Sequence, residues 1–290
     1  MHRLLLIVLL YSLPLLGQAE WPKPNWEKTE VLRCDQQKVS TFPVGKYQVK
    51  LVPRSDAGGD KSCQSYLVEP SGREIPLLRD WTISVYEGTG EDIFGNGNPS
   101  LILEGFSGGA HCCYTYTIAD LSDAPLILSP VHNQTPFLVF KDTATKQFRI
   151  LTSDGAFDYF DGLCHACAPF PRVVLQATRS GLRDVSSQFV DQYDCDIALA
   201  RARIGGEGEI RKFEMSDFAD AKPVVLEIVY SYLYSGREDE AWQTLDNMWP
   251  AADRERIKKL IIKTRATGLL STLLKTSPRS LASLADRAHL

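Results

Sequence analysis

Residues 92–118 constrain the fold more than any other part of the chain. This stretch places a loop rich in Gly and Asn before an apolar run, and then Gly108 and Gly109 before Cys112, Cys113 and a second apolar run. Gly and Asn accept the left-handed backbone that tight turns need, and apolar runs bounded by such residues are typical of strands. The stretch therefore predicts two neighbouring strands at the centre of a β domain.

Short runs with the composition of strands continue on both sides of this stretch. They are rich in Val, Ile, Leu, Tyr, Phe and Thr, and Gly, Pro, Asp and Ser separate them. The runs predicted as strands are 47–52, which ends before Pro53, 65–69, 81–86, 101–104, 114–118, 126–128, 137–140, 148–151 and 173–176. Many short strands at this spacing indicate an antiparallel meander, sandwich or partial propeller.

The pattern changes near Asp184, where apolar residues begin to recur at steps of three and four, as on one face of a helix. Helices are predicted from Asp184 to Gly205, around 225–233, at 238–248 and across 251–274, with a polar linker at 207–222. Strands followed by helices predict an α+β protein. We expect a signal peptide at 1–19, a disulfide-supported β domain at 20–183 and a helical domain at 184–290.

The first residues have the pattern of a secretory signal peptide. Arg3 supplies a positive charge, residues 4–16 are apolar, and residues 17–19 form a small-x-small cleavage site. The apolar run is too short to cross a hydrocarbon core of about 30 Å, and Ser12 and Pro14 interrupt it. We therefore expect a periplasmic or secreted protein with no integral membrane span.

The charge balance argues against nucleic acid as a partner. The chain has 32 Lys and Arg side chains against 36 Asp and Glu side chains, a net charge of −4. Binding to phosphates depends on clustered positive charge, and a dense Lys/Arg face is absent before the C-terminal end.

The Gly/Asn loop before the first of the two strands has the composition of a cation-binding turn. It resembles the D-x-N-G-D-G-x-x-D-L loop of FG-GAP and related β-propeller repeats, in which oxygens at the first, third, fifth and ninth positions bind calcium. Asp92, Asn96 and Ser100 stand at three of these positions, so a single carboxylate remains for an ion that needs roughly six to eight oxygen ligands. The resemblance implies calcium at these three residues. The alternative is a β-turn with positive φ at Gly95 or Gly97.

Two further patterns resemble repeats. Asp92 and Asp142 each stand in a polar loop before a predicted strand, about 50 residues apart, as successive blades would place them. Chance similarity is the alternative.

Residues 234–245 resemble the turn and second helix of a tetratricopeptide unit. Because a single unit cannot form a solenoid, an ordinary helical hairpin is the alternative there.

Residues 107–113 read Ser-Gly-Gly-Ala-His-Cys-Cys. The motif resembles a Gly-Gly-Ala-His-Cys-Cys signature that follows such loops in exported bacterial proteins without an assigned activity, so it implies a context and no mechanism. Neighbouring residues on a strand point to opposite faces, and Cys112 and Cys113 are therefore expected to reach different partners.

All seven cysteines follow the predicted signal peptide, and cysteines of an exported chain are interpreted first as disulfides. Cys34 and Cys63 are expected to close the N-terminal segment. The adjacent pair at 112–113 and the Cys-x-x-Cys pair, Cys164 and Cys167, are expected to be joined to each other, directly or with Cys63. Because seven is odd, one thiol is expected to be free, and we assign it to Cys195.

The motif Cys164-His165-Ala166-Cys167 leaves two other hypotheses open. A Cys-x-x-Cys redox site needs a lowered thiolate pKa, often at a helix N-terminus, whereas Pro169 and a strand-like segment follow here. A transition-metal site could use His111, His165 and the cysteines, since imidazoles and thiolates suit zinc or copper. An oxidising compartment favours disulfides over thiolate ligands.

Asp154, Asp158 and Asp161 lie in an acidic, aromatic segment before the Cys-x-x-Cys motif. With His111 and His165 they are the candidate ligand-binding residues. Paired carboxylates could serve acid–base chemistry on a glycan, and a solvated loop is the alternative.

No coherent catalytic constellation is visible in the sequence. The sequence favours a non-enzymatic exported binding protein of unknown ligand, whose β domain presents the loops around His111 and residues 154–161. The helical domain is expected to contact a protein partner. The alternative function is a metal- or thiol-redox-active exported protein that uses the His and Cys residues of the two motifs.

Overall fold

The computed structural model describes residues 20–23, 30–34, 37–55, 59, 61–109, 113–205, 218–274 and 279–280. The predicted signal peptide, His111, Cys112 and most of the predicted linker lie outside these residues. Within them the chain is α+β, as predicted, because antiparallel strands come first and helices follow, apart from a two-residue strand at the end.

The strands are β1 (Glu30–Arg33), β2 (Ser40–Val44), β3 (Tyr47–Ser55), β4 (Lys61–Val68), β5 (Glu74–Asp80), β6 (Thr82–Tyr86), β7 (Ser100–Phe106), β8 (Tyr114–Asp120), β9 (Leu126–Ile127), β10 (Val131–Asn133), β11 (Leu138–Lys141), β12 (Phe148–Ser153), β13 (Arg172–Thr178), β14 (Gly181–Asp184) and β15 (Arg279–Ser280). The helices are α1 (Val190–Arg203), α2 (Lys222–Tyr234), α3 (Glu238–Met248), α4 (Arg254–Arg265) and α5 (Leu269–Leu273), with short 3₁₀ helices at Gly155–Phe157, Phe160–Gly162 and Ser186–Gln188.

The strands form three antiparallel sheets. The first sheet has the order β2-β3-β4-β5, the central sheet has the order β1-β6-β7-β8-β9-β15 with β10 paired to β8, and the third sheet has the order β11-β12-β13-β14. Each sheet contains four consecutive strands in meander order, as a β-propeller blade does. The two strands predicted within 92–118 are β7 and β8, which pair with each other in the middle of the central sheet.

The middle of the central sheet is covered on both faces. Leu101 and Leu103 of β7 belong to a core that they share with Leu51 and Leu67 of the first sheet. Ile102 between them belongs to a second core, which includes residues of the third sheet and of all five helices. A strand covered on both sides has no face in solvent, and this explains why β7 begins as a continuous apolar run.

Several element boundaries differ from the predicted ones, and three of the differences have a structural cause. β3 continues through Pro53, because β2 begins at Ser40 opposite Leu51 and, among the described residues, no strand pairs with β3 on that side beyond this point. α1 begins at Val190 and not at Asp184, because the residues up to Asp184 pair with β13 as β14. The helix predicted across 251–274 is divided into α4 and α5.

A buried carboxylate, Asp154, joins the third sheet to the helices. It follows β12 and is 1% exposed. Its Oδ2 accepts the hydroxyl of Tyr234 on α2 at 2.7 Å, and its Oδ1 accepts the N–H groups of Leu269 at 3.0 Å and Ala156 at 3.1 Å. Burial and the neighbouring Asp154 charge raise the pKa of Tyr234, so its hydroxyl remains a donor. Because a buried carboxylate needs such donors, this contact fixes where α5 begins.

The N-terminal arm makes a second contact with the helical layer. Trp21 packs against Phe189 and Tyr193, with ring centroids 6.3 and 5.0 Å apart. Its Nε1 donates to Asp196 of α1 at 2.8 Å, and the guanidinium of Arg172 lies 5.4 Å from the centre of its ring. Arg172 also pairs with Asp196. The arm therefore ties the start of β13 to α1.

Replacing Asp154 should destabilise the protein strongly. We expect Asp154→Ala to lower the free energy of unfolding by about 3 kcal/mol or more, because the buried donors of Tyr234 and Leu269 lose their acceptor. Urea unfolding followed by circular dichroism measures this change. Asp123→Ala is the matched control and should have little effect, because Asp123 is fully exposed. An equal loss of unfolding free energy in the two variants would contradict the role of Asp154 as a buried acceptor.

Candidate functional site

Asp92 organises the Gly/Asn loop before β7. Its Oδ1 accepts the backbone N–H of Asn96 at 2.9 Å, and its Oδ2 accepts that of Gly97 at 2.8 Å. Gly95 and Gly97 have φ values of 69° and 82°, so both predicted glycine positions use the left-handed region. Both carboxylate oxygens therefore take part in the turn itself.

The other two predicted calcium ligands are also used by the protein. The hydroxyl of Ser100 accepts the N–H of Ile93 at 3.1 Å, and the side chain of Asn96 donates to Asp120 at 3.0 Å. Asp120 is buried and pairs with Arg179. This geometry favours the turn alternative, and calcium at the loop stays a prediction.

The Asp142 loop has the equivalent position in the third sheet. The Asp92 loop joins β6 to β7, the first two meander strands of the central sheet, and the Asp142 loop joins β11 to β12. Asp142 accepts the N–H of Ala144 at 3.0 Å and the hydroxyl of Thr145 at 2.5 Å. The two carboxylates therefore stabilise corresponding turns of successive meanders, which gives the repeat spacing in the sequence a structural basis.

The described part of the Gly-Gly-Ala-His-Cys-Cys motif packs on Trp81. Gly108 has a φ of 85°, and a Cβ added there would lie 2.9 Å from the Trp81 ring, so the position requires glycine. His111 and Cys112 lie outside the described residues. Cys113 is disulfide-bonded.

The predicted disulfide between Cys34 and Cys63 is confirmed. Cys34 follows β1 of the central sheet and Cys63 lies in β4 of the first sheet, so the bond connects the two layers across their shared core. Cys195, which was predicted to carry the free thiol, is free.

The predicted connection of the Cys-x-x-Cys pair to the cysteines at 112–113 is wrong, because Cys164 and Cys167 are bonded to each other. The N–H groups of Cys167 and Ala168 both donate to the carbonyl of Cys164 at 2.9 Å, so these residues form one helical turn that brings the two cysteines together. As a disulfide the pair has no thiolates for a metal ion.

His165, inside this turn, is held by Asp158. The distance from its Nδ1 to Asp158 Oδ1 is 2.8 Å, and the Asp158 side chain is 8% exposed, against 34% for His165. The imidazole also contacts the rings of Tyr159 and Phe170, with centroids 6.0 and 5.6 Å away. A carboxylate at one ring nitrogen fixes the orientation of the imidazole.

The three predicted acidic residues do not form a common patch. Asp154 binds Tyr234 and α5, Asp158 binds His165, and Asp161 binds the helical layer. Arg256 of α4 donates to both carboxylate oxygens of Asp161, at 2.6 and 2.9 Å, and Lys222 of α2 lies 2.7 Å away. Asp154 and Asp161 are thus contacts between layers, and the paired-carboxylate hypothesis for a glycan stays a prediction.

A cavity of about 230 Å³ opens beside Asp154, between the central sheet and α5. It brings together Cys113, at the end of the Gly-Gly-Ala-His-Cys-Cys motif, and the acidic segment that begins at Asp154. Its lining includes Cys113, His132, Gln134, Asp154, Gly268 and Thr272.

No sequence pattern marks His132 or Gln134 as site residues. His132 lies on β10, which has only three residues and is too short to show the alternation of apolar and polar residues that identifies a strand. Its Nδ1 is 3.0 Å from the hydroxyl of Thr115 on β8. Burial raises the pKa of Asp80, which is also close to Thr115. A polar cluster therefore lies beside the cavity, built by strand pairing that a single sequence does not reveal.

Two other cavities, of about 340 and 220 Å³, flank the N-terminal arm and share Ser153, Phe170 and Arg172. Trp21 and Pro22 of the arm line the larger one. The chain's own arm therefore borders this space.

Comparisons of the chain with protein-family models, curated proteins and solved structures gave no significant match. Within the described ranges, no group of three or more His, Cys, Asp or Glu side chains could hold a metal ion. No helix in the same part of the chain is long and apolar enough to cross a membrane. The chain is an α+β protein, and its function has to be inferred from the geometry of its sites.

The two disulfides should differ in their contribution to stability. The Cys34–Cys63 bond spans 29 residues and the Cys164–Cys167 bond spans 3. Chain entropy therefore predicts losses of about 3.5 and about 2 kcal/mol when each pair is replaced by alanine. Urea unfolding of the two double variants measures both losses. A larger loss for the Cys164/Cys167 variant would contradict this order.

The ion pairs of Asp161 should make stability depend on pH. The hydrogen bonds from Arg256, followed by those from Lys222, lower the pKa of Asp161 in the folded protein. The contribution of ionised Asp161 to the stability of the folded protein is therefore complete above the pKa of an unfolded Asp, about 4. This contribution is lost as the pH falls through the lowered pKa that Asp161 has in the folded protein.

We expect Asp161→Asn to be less stable than the wild type at pH 7 by about 1–2 kcal/mol, because the carboxylate is largely buried and Arg256 is half exposed. Thermal unfolding of both proteins between pH 7 and pH 2 measures the difference, which should disappear at the acid end. A difference that stays constant with pH would contradict the ionic origin.

Proposed function

We propose that the protein is an exported binding protein whose ligand site is the cavity beside Asp154. The observation that carries this proposal is the shared lining. Cys113, from the Gly-Gly-Ala-His-Cys-Cys motif, and Asp154, from the acidic segment, border the same space together with the start of α5. The two loop regions selected from the sequence and the helical layer therefore contribute to one site.

The lining suggests a small polar ligand. The side-chain oxygen of Gln134 is buried and accepts no hydrogen bond from the described residues. A buried acceptor of this kind is stabilised when a ligand N–H or O–H reaches it. His132 and Thr272 add polar groups at the same lining. A volume of about 230 Å³ is below the usual range of drug-sized sites, so it suits one small molecule or the end group of a larger one.

Export and a protein partner belong to the same proposal. Disulfides persist in oxidising compartments such as the periplasm or the exterior, and Cys34–Cys63 and Cys164–Cys167 fit that environment. The helical layer exposes Leu199 on α1 and Ile262 on α4, which offers apolar contacts to a partner protein.

The test is a ligand screen with the purified protein. Free amino acids, monosaccharides and disaccharides are added in turn, and binding is read as a rise in melting temperature and confirmed by calorimetry. For a ligand found in this way, Gln134→Leu should weaken binding by about tenfold or more, because the buried acceptor is lost.

Gln243→Leu is the matched control. It replaces the same type of side chain, and Gln243 is exposed on α3, away from the cavity. It should bind with unchanged affinity. A ligand whose affinity falls equally in both variants, or in neither, binds elsewhere and would remove the cavity from the proposal.

A further inference from the structure

The Cys164–Cys167 disulfide and the Cys34–Cys63 disulfide have different surroundings. Cys34 and Cys63 are 5% and 0% exposed, in the core between the first and central sheets. Cys164 and Cys167 are both exposed on the surface and do not line the three cavities described above. A thiolate from another molecule can therefore approach one disulfide and not the other, and access is a condition for exchange.

The turn that carries the exposed pair is held by bonds other than the disulfide. The carbonyl of Cys164 accepts two backbone N–H groups, and Ala168 at the end of the turn is buried. The N–H of Leu163 donates to the carbonyl of Phe160 at 3.0 Å and fixes the entry to the turn. These contacts remain when the disulfide opens, so the two sulfurs stay close enough to form it again.

An oriented imidazole lies within the same turn. His165 is held through Nδ1 by the nearly buried Asp158 and contacts the rings of Tyr159 and Phe170, so the orientation of its ring is restricted. A protonated imidazole has an N–H at each ring nitrogen. It can stabilise or protonate a thiolate that leaves the disulfide.

We propose that the Cys164–Cys167 disulfide is a thiol–disulfide exchange site that oxidises a polypeptide dithiol, with His165 as the proton donor and Asp158 as a positioning residue. The surface location favours a polypeptide as the substrate, because an extended segment reaches an open surface without entering a cavity. The site lies apart from the residues that line the proposed ligand cavity.

The exchange balances without another reactant. A thiolate of the substrate attacks one sulfur of the pair, a mixed disulfide forms, and the other sulfur leaves with the electron pair and takes a proton from the His165 imidazole. The second substrate thiol gives its proton to that imidazole, and its thiolate attacks the substrate sulfur of the mixed disulfide. The remaining protein sulfur leaves with the electron pair and takes this proton from the imidazole. The proton that the first substrate thiol released to the solvent then returns to the imidazole. The substrate loses two electrons and two protons to become a disulfide, and Cys164 and Cys167 gain both as a dithiol.

The test uses the purified oxidised protein with Cys195→Ser, which removes the free thiol, and a synthetic peptide with two cysteines. Oxidised peptide is measured by mass spectrometry, and new protein thiols are located by alkylation and peptide mapping. We expect peptide disulfide to form together with alkylated Cys164 and Cys167, at least about tenfold faster than any alkylation of Cys34 and Cys63.

Variants of the imidazole and its carboxylate test the mechanism. His165→Ala should slow the exchange by about tenfold or more, and added imidazole should restore part of the rate. Asp158→Asn should slow it less, and Asp158→Glu should recover most of the rate. Gln243→Leu, on the exposed face of α3, should react as the parent protein does.

A peptide that stays reduced while Cys164 and Cys167 remain unalkylated would overturn the proposal. An exchange rate that is equal in His165→Ala and the parent protein would overturn the role of the imidazole. Circular dichroism and the melting temperature of each variant establish that a slow rate comes from the site and not from unfolding. Ligand binding in the cavity is measured separately, so either proposal can fail without the other.

Discussion

The buried carboxylate of Asp154 is the contact on which the arrangement of layers depends. It is almost fully buried, and its donors within the described residues come from the 3₁₀ helix after β12 and from α2 and α5. Gly268 precedes α5 because a Cβ there would collide with the carboxylate. The break between α4 and α5 therefore follows from one interaction, and so does the cavity beside it, which Asp154 and Gly268 both line.

Much of the β part could be predicted, and two of the strands that were missed share a cause. β7 and β8 were visible because apolar runs and Gly-rich turns agree there. β2 and β5 contain Pro43 and Pro76, which normally argue against a strand. Both are edge strands of the first sheet, where a missing N–H removes no ladder bond. Whether a strand is at an edge depends on the whole sheet, and local sequence does not contain that information.

The same contrast applies to the site residues: some contacts could be predicted from local sequence, and others depend on the tertiary fold. Cys34 and Cys63 could be paired from compartment and spacing. The pairing of Cys164 with Cys167 was not predicted, because it depends on a turn closed by two backbone hydrogen bonds to the carbonyl of Cys164. The acidic segment was visible as a run of carboxylates, but the donors that separate Asp154 and Asp161 come from helices far along the chain. Sequence identified the residues and could not assign their partners.

The contacts of Asp154 and Asp161 restrict the position of Asp158, which lies between them and binds His165. The segment is fixed at one end by Tyr234 and α5 and at the other by Arg256 and Lys222. Two 3₁₀ helices fill the space, so Asp158 is placed by both ends and has few other positions available. Reactive groups work best when their supports are rigid, since less order has to be created during reaction. The helical layer therefore holds the segment that orients His165.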